Sequence, residues 1–190
     1  EKLIKTKCVG DKFVITKYDK NDILQNISFR DDDKFNFAFD VIDELAKKCP
    51  NKTAMLHISK DHEERRFSFS DMSRYANMTA NYFESLGIKR GDKVMLVLRR
   101  HYQFWFSMLA LHKIGAIAVP AAFLLKDEDY EYRFKEIGVS AIVASSYGDI
   151  TEQIDAACKN TNSVKTKIIV DGTRDGWHDF DTEMKSFSEK

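Results

Sequence analysis

The sequence predicts a doubly wound α/β fold, with a mostly parallel sheet, flanking helices and a small β-hairpin near the N-terminus. Three observations carry this. Val94-Met95-Leu96-Val97-Leu98, Ala116-Ile117-Ala118-Val119, Ser140-Ala141-Ile142-Val143-Ala144 and Lys167-Ile168-Ile169-Val170 are short, nearly continuous apolar runs. Amphipathic helical stretches alternate with them. Glycines stop the helices at Gly87, Gly115 and Gly138. Strands that are apolar at every position are covered on both faces, and helices between them supply the crossovers of a parallel sheet.

Residues 85–122 are the organising unit: a Gly-Asp turn, a strand, a helix over about 101–114, the Gly115 stop and a second strand. Upstream, Lys12-Phe13-Val14-Ile15-Thr16 reads as a short strand, within an extension over residues 1–34 that packs against the domain. Asp31-Asp32-Asp33 reads as a solvated acidic run. Residues 35–48 form an amphipathic helix with Phe39, Ile42, Leu45 and Ala46 inward, and Pro50 ends it. Residues 53–69 form a hairpin around the polar turn Lys60-Asp61-His62-Glu63-Glu64. Ser70 caps the next helix, with Met72, Tyr75, Ala76, Ala80, Phe83 and Leu86 as its apolar stripe.

Downstream of Pro120, Asp127 caps a helix with Tyr130, Phe134 and Ile137 in register. Asp149 opens the following one as a capping box, with Ile150, Ile154 and Ala157 inward. A last helix spans residues 179–190, with Phe180, Met184 and Phe187 on one face. The aromatic helix with Phe104, Trp105 and Phe106 is apolar nearly all round and is expected to be buried.

Composition narrows function. The 190 residues carry 30 Lys plus Arg and 30 Asp plus Glu, so net charge gives no case for nucleic acid. No apolar run approaches the roughly 18 residues that cross a bilayer. Cys8, Cys49 and Cys158 are scattered, and with no secretory pattern they read as free thiols in a cytoplasmic protein. In the same light the sequons at Asn26, Asn51 and Asn77 are chance, and Arg90-Gly91-Asp92 is a tight turn. His57 and His62 lack a third ligand, so no metal site is expected. No phosphate-binding glycine motif, P-loop or nucleophile elbow occurs.

Ligands of open α/β sheets gather at the carboxyl ends of the strands. Arg99 and Arg100 follow one strand, and Ser145 and Ser146 follow another. These four are weak candidates for binding a ligand, phosphate included. No catalytic residue is assigned.

Several patterns, in order, resemble the adenylate-forming family of acyl-CoA synthetases, luciferases and adenylation domains. Arg66-Phe67-Ser68-Phe69-Ser70-Asp71-Met72 is similar to its strand-into-helix segment. Leu86-Gly87-Ile88-Lys89-Arg90-Gly91-Asp92-Lys93-Val94 is similar to its Gly-Asp turn. Leu111-His112-Lys113-Ile114-Gly115-Ala116-Ile117-Ala118-Val119-Pro120 is similar to its Gly-to-Pro strand. Asp129-Tyr130-Glu131-Tyr132-Arg133-Phe134 is similar to the helix that follows. Phe35-Asn36-Phe37-Ala38 and Leu98-Arg99-Arg100 before Phe104-Trp105 resemble the medium-chain acyl-CoA synthetase branch. Arg99 stands where a proline is common, and Lys126 where Ser or Thr often caps.

The resemblance implies an enzyme that joins a carboxylate to the α-phosphate of ATP and then passes the acyl group to the thiol of coenzyme A. ATP, Mg²⁺, coenzyme A and a medium-chain fatty or other carboxylic acid are the implied partners, together with the remainder of the same polypeptide. Residues 35–190 correspond to its N-terminal α/β subdomain. The phosphate loop and the nucleotide motifs are expected beyond Lys190, so this part alone is expected to be inactive, with no cofactor of its own. Gly91, Asp92, Gly115 and Pro120 are fold determinants in this reading. A stand-alone α/β ligand-binding module and a non-catalytic interaction domain using the aromatic helix are the alternatives.

Overall fold

The computed structural model describes residues 9–30 and 33–190, with the side chains of residues 9 and 10 left out. Asp31 and Asp32 of the acidic run, and Cys8, lie outside the described residues. The strands are β1 (Val14–Tyr18), β2 (Leu24–Phe29), β3 (Thr53–Ile58), β4 (Glu64–Ser68), β5 (Lys93–Val97), β6 (Ile117–Pro120), β7 (Ala141–Ser145), β8 (Thr166–Val170) and β9 (His178–Asp179). The helices are α1 (Glu44–Lys48), α2 (Phe69–Ser85), α3 (Gln103–Ile114), α4 (Asp127–Ile137), α5 (Ile150–Cys158) and α6 (Phe180–Glu183).

The main sheet is parallel, with order β6-β5-β7-β8-β9. Its strands alternate in what they cover, because successive side chains point to opposite faces. Val94, Leu96, Val143 and Ile168 join α2, α3 and α6 in one core. Met95, Val97, Ile142 and Ile169 join α4 and α5 in the other. The sheet is thus wound on both sides, as the sequence predicts. β6 departs from the two-faced burial expected of it: it is an edge strand, with Ile117 48% exposed.

Two further two-stranded sheets precede it. β3 and β4 pair antiparallel as the expected hairpin. β1 pairs with β2, a strand that polar Gln25, Asn26 and Ser28 conceal in the sequence. The extension is held less by packing than expected. Phe13 is buried with its ring 4.8 Å from that of Phe35, while Leu24, Ile27 and Phe29 stay exposed.

The helix expected over 35–48 is a π-helical stretch, Ala38–Asp43, that runs into α1. Asn36 sets it, accepting hydrogen bonds from the N–H groups of Ala38 and Phe39 while its amide donates to the carbonyl of His112. The wider turn shifts the phase. Ala38 and Ile42 face the core, and Phe39 stays 48% exposed, contrary to the simple helical reading. Asp43 turns inward, accepting from Ser73 at 2.6 Å and from Lys113 at 2.5 Å.

α2 is capped by Ser68, two residues before the expected Ser70. The Ser68 hydroxyl accepts from the Asp71 N–H, and the Asp71 carboxylate accepts from the Ser68 N–H. Lys126, not Asp127, holds the cap position of α4, with Asp129 accepting its N–H at 3.2 Å. Asp149 does occupy the cap of α5, yet its carboxylate pairs with Lys126 and Gln153 instead of closing a box. The last helix is shorter than expected: α6 gives way to one 3₁₀ turn, Met184–Ser186. In α3, Phe106, Leu109, Ala110 and Leu111 are buried, but Trp105 is 52% exposed, so this helix is not covered all round. Among the described residues no helix is long and apolar enough to cross a membrane.

Candidate functional site at the strand carboxyl ends

The crossover helix after β5 lies on one face of the sheet, and the one after β7 lies on the other. The chain therefore parts in opposite directions between two neighbouring strands, which opens a crevice at their carboxyl ends. All four residues singled out by sequence stand beside it.

Arg99 is held most specifically. Its guanidinium carbon lies 3.9 Å from the ring centre of Tyr147 and 4.7 Å from that of Phe123. Phe123 comes from the loop after β6 and Tyr147 from the loop after β7. Stacking uses the faces of the guanidinium and leaves its in-plane N–H donors free. No carboxylate among the described residues lies within ion-pair distance of Arg99 or Arg100. Arg100 is fixed through its backbone, its carbonyl oxygen 2.9 Å from His57 Nε2.

The serines play different parts. Ser145 is 1% exposed, and its hydroxyl accepts the N–H of Tyr147, so it shapes the loop that carries the ring. Ser146 is exposed and donates to the carbonyl of Asp171 at 2.6 Å. Gly172 makes that approach possible, since a Cβ there would sit 2.9 Å from Ser146 Cβ.

A second cluster, missed by sequence reasoning, lies on the α2–α3 side of the same strand ends. Asp171 follows β8 with a left-handed backbone, φ +57°. Its Oδ2 is 3.2 Å from His101 Nε2, and its N–H donates to Asp181 Oδ2 at 2.9 Å. The hydrogen bond from His101 holds its carboxyl below the usual range. Gln103, only 1% exposed, donates its amide to Asp181 at 2.8 Å and to Asp171 at 3.3 Å. Its carbonyl oxygen is buried without a partner. These groups border a cleft of about 610 Å³, which Arg65, Phe67 and Tyr102 also line. Arg65 donates to the Tyr102 hydroxyl at 3.0 Å, and burial raises the pKa of that phenol. A non-glycine residue in the left-handed region and an orphaned buried carbonyl are features that concentrate at functional sites.

Other reactive groups are quiet. Burial pushes the Cys158 thiol up, away from the reactive thiolate. Among the described residues no group of three His, Cys, Asp or Glu could hold a metal ion.

The family profile described as AMP-binding enzyme matches residues 42–190. This chain belongs to the AMP-binding enzyme family. Acyl-coenzyme A synthetase ACSM2, mitochondrial, from Rattus norvegicus is 31% identical over 163 residues, covering 82% of the chain and 28% of the relative. Human acyl-coenzyme A synthetase ACSM1, mitochondrial, is 32% identical over 164 residues, covering 82% and 28%. The chain thus spans under a third of the length of these relatives.

Solved structures agree on fold. Acetoacetyl-CoA synthetase from Streptomyces lividans superposes with a TM-score of 0.72 at 18% identity, over 81% of this chain and 25% of that one. A Mycobacterium tuberculosis fatty acyl CoA synthetase gives 0.69 at 20% identity, over 82% and 29%. The adenylate-forming resemblance and the α/β architecture expected from sequence both hold.

Proposed function

We propose that this chain is the N-terminal part of an ATP-dependent acid–coenzyme A ligase. It activates a carboxylic acid, of medium-chain fatty type, as the acyl-adenylate and then transfers the acyl group to coenzyme A. The family match that runs through the whole parallel sheet carries this reading. In it, residues 1–34 are an extension and residues 35–190 the first α/β subdomain.

ATP and coenzyme A are polyanions, and binding them calls for fixed positive charge near exposed strand ends. Arg99 offers that: a guanidinium oriented by Phe123 and Tyr147, with its N–H edge turned to no carboxylate of the described residues. Ser145 holds the Tyr147 loop, and Ser146 ties it to the loop after β8. Arg100 adds a second exposed charge. These residues bind and orient, and none moves a proton. Among the described residues no group of three His, Cys, Asp or Glu could hold a metal ion, and Mg²⁺ in this reading comes with the nucleotide phosphates. Scattered thiols suit a reducing compartment; the cytoplasm is the reading from sequence, and the relatives carry a mitochondrial designation.

The test uses the protein that carries this chain in full. Pyrophosphate exchange into ATP is expected to depend on a medium-chain acid, followed by thioester formation with coenzyme A. No exchange with any fatty acid would refute the ligase reading. Arg99→Ala is expected to raise KM for ATP or for coenzyme A roughly tenfold, the size of one lost charge-assisted hydrogen bond. Both constants unchanged would remove Arg99 from the site.

A further inference from the structure

Residues 98–102 carry the chain from β5 to α3, and Arg99 projects from this bend. The residues around Arg99 are each fastened elsewhere. Leu98 is buried in the α2–α3 core. His101 reaches Asp171 after β8. Tyr102 meets the β3–β4 hairpin: Arg65 donates to its hydroxyl at 3.0 Å, and its ring lies 5.2 Å from that of Phe67. The Arg100 side chain is exposed, so its backbone is the handle, and His57 of β3 takes its carbonyl at 2.9 Å.

That contact runs in one direction. A carbonyl only accepts, so Nε2 carries the hydrogen of the neutral His57 ring and Nδ1 carries none. Nδ1 is buried without a partner, a cost that an apolar side chain of the same size would not carry. The bond to Arg100 is what offsets it. The same imidazole stands edge-on to Tyr102, with ring centres 5.3 Å apart. His57 thus grips the bend at residues 100 and 102.

Two contacts then set where Arg99 points. Its guanidinium end rests on Tyr147 and Phe123, at 3.9 Å and 4.7 Å from the ring centres. Its backbone end is fixed one residue away by the His57 bond. A guanidinium donates in its plane through a rigid fork, so its aim depends on both ends being held.

We infer that His57 is a positioning residue for Arg99, acting through the Arg100 carbonyl and touching no ligand itself. The inference rests on the reading of Arg99 as a group that binds phosphate. Without the His57 bond the bend is free to turn, and the guanidinium loses its seat on Tyr147.

Two variants of the full protein separate the N–H from the ring. His57→Phe keeps a ring without a donor, and His57→Gln keeps a donor near the Nε2 position; His57→Met replaces the first if it does not fold. Protons above an aromatic face resonate upfield. With arginine-selective ¹⁵N labelling, the Nε–H signal that Arg99→Ala abolishes is expected upfield in the parent and in His57→Gln. In His57→Phe it is expected to move toward the ordinary arginine position. An unmoved signal in folded His57→Phe, or the same movement in both variants, would overturn the inference, whether or not the protein is a ligase.

Kinetics supply the second arm. His57→Phe is expected to raise KM about threefold for the substrate that Arg99 serves, the size of one backbone hydrogen bond, with kcat unchanged. His57→Gln should restore it, and His57→Phe should add nothing in an Arg99→Ala background. An equal rise with and without Arg99 would show a role that does not pass through it and would sink the idea. A displaced signal with both KM values unchanged would overturn the binding role of Arg99 and leave only the geometry, so the two readings fail separately.

Discussion

Asp171 Oδ2 lies 3.2 Å from His101 Nε2, and this contact fastens the end of β8 to the loop after β5. The same aspartate receives the Gln103 amide, and its backbone carbonyl accepts the hydroxyl of Ser146. One residue thereby ties three loops together at the strand ends. Because its carboxyl is held below the usual range by His101, it adds stability above the unfolded-state value near about pH 4. That contribution fades as pH falls through the lower folded-state value. Asp171→Asn is expected to cost about 1–2 kcal/mol at neutral pH, measured by urea unfolding. The gap between variant and parent should narrow on acidification below about pH 4, and a constant gap would speak against the linkage.

Ser68 and Ser70 offer a direct comparison of two neighbouring hydroxyls. Only Ser68 closes the capping box with Asp71. Ser68→Ala should lower stability by about 1 kcal/mol, and Ser70→Ala by no more than a few tenths. Equal losses in denaturant titrations would contradict the assignment.

Lys113 and Asp43 form an ion pair with side chains only 7% and 19% exposed. Ser73 also donates to Asp43, and the ring of Phe39 lies 4.9 Å from the lysine nitrogen. Lys113→Met leaves a carboxylate in poor solvent and is expected to cost about 3 kcal/mol. Pairing it with Asp43→Leu should recover most of the loss. A double variant as unstable as the sum of the singles would show that the charges are not coupled.

Gly115 ends α3 with φ +78°, and a Cβ there would meet Arg90 Cγ at 3.3 Å. Its carbonyl accepts the N–H of Gly91, so two turns of the organising unit meet at this residue. Gly115→Val should cost about 2 kcal/mol or more, whereas Gly115→Asn should cost less because Asn tolerates the left-handed region. Thermal unfolding of the two variants distinguishes them.

The parallel core was readable because its strands are uniformly apolar and its helices stop at glycine. β9 was not: His178 and Asp179 form no apolar run. It exists because its flanking residues, Trp177 and Phe180, anchor in opposite cores. The π-helical start hid Ala38, since an inserted residue shifts the phase on which periodicity relies. At the candidate site, basic residues after a strand were visible. Their stacking was not, because Phe123 and Tyr147 arrive from separate later loops. Gln103 looked like the ordinary start of an apolar helix; only the fold brings Asp171 and Asp181 to it.

The margins of the main sheet bear on how crowded copies behave. Among the described residues, one margin is β6, which ends in Pro120 and so lacks an N–H at its final position. The other is β9, two residues long. Neither presents the long run of free backbone groups that templates strand addition. Aggregation by edge-to-edge growth is thus blunted where the backbone is most regular. The exposed apolar face of the β1–β2 hairpin is the place where self-association would begin.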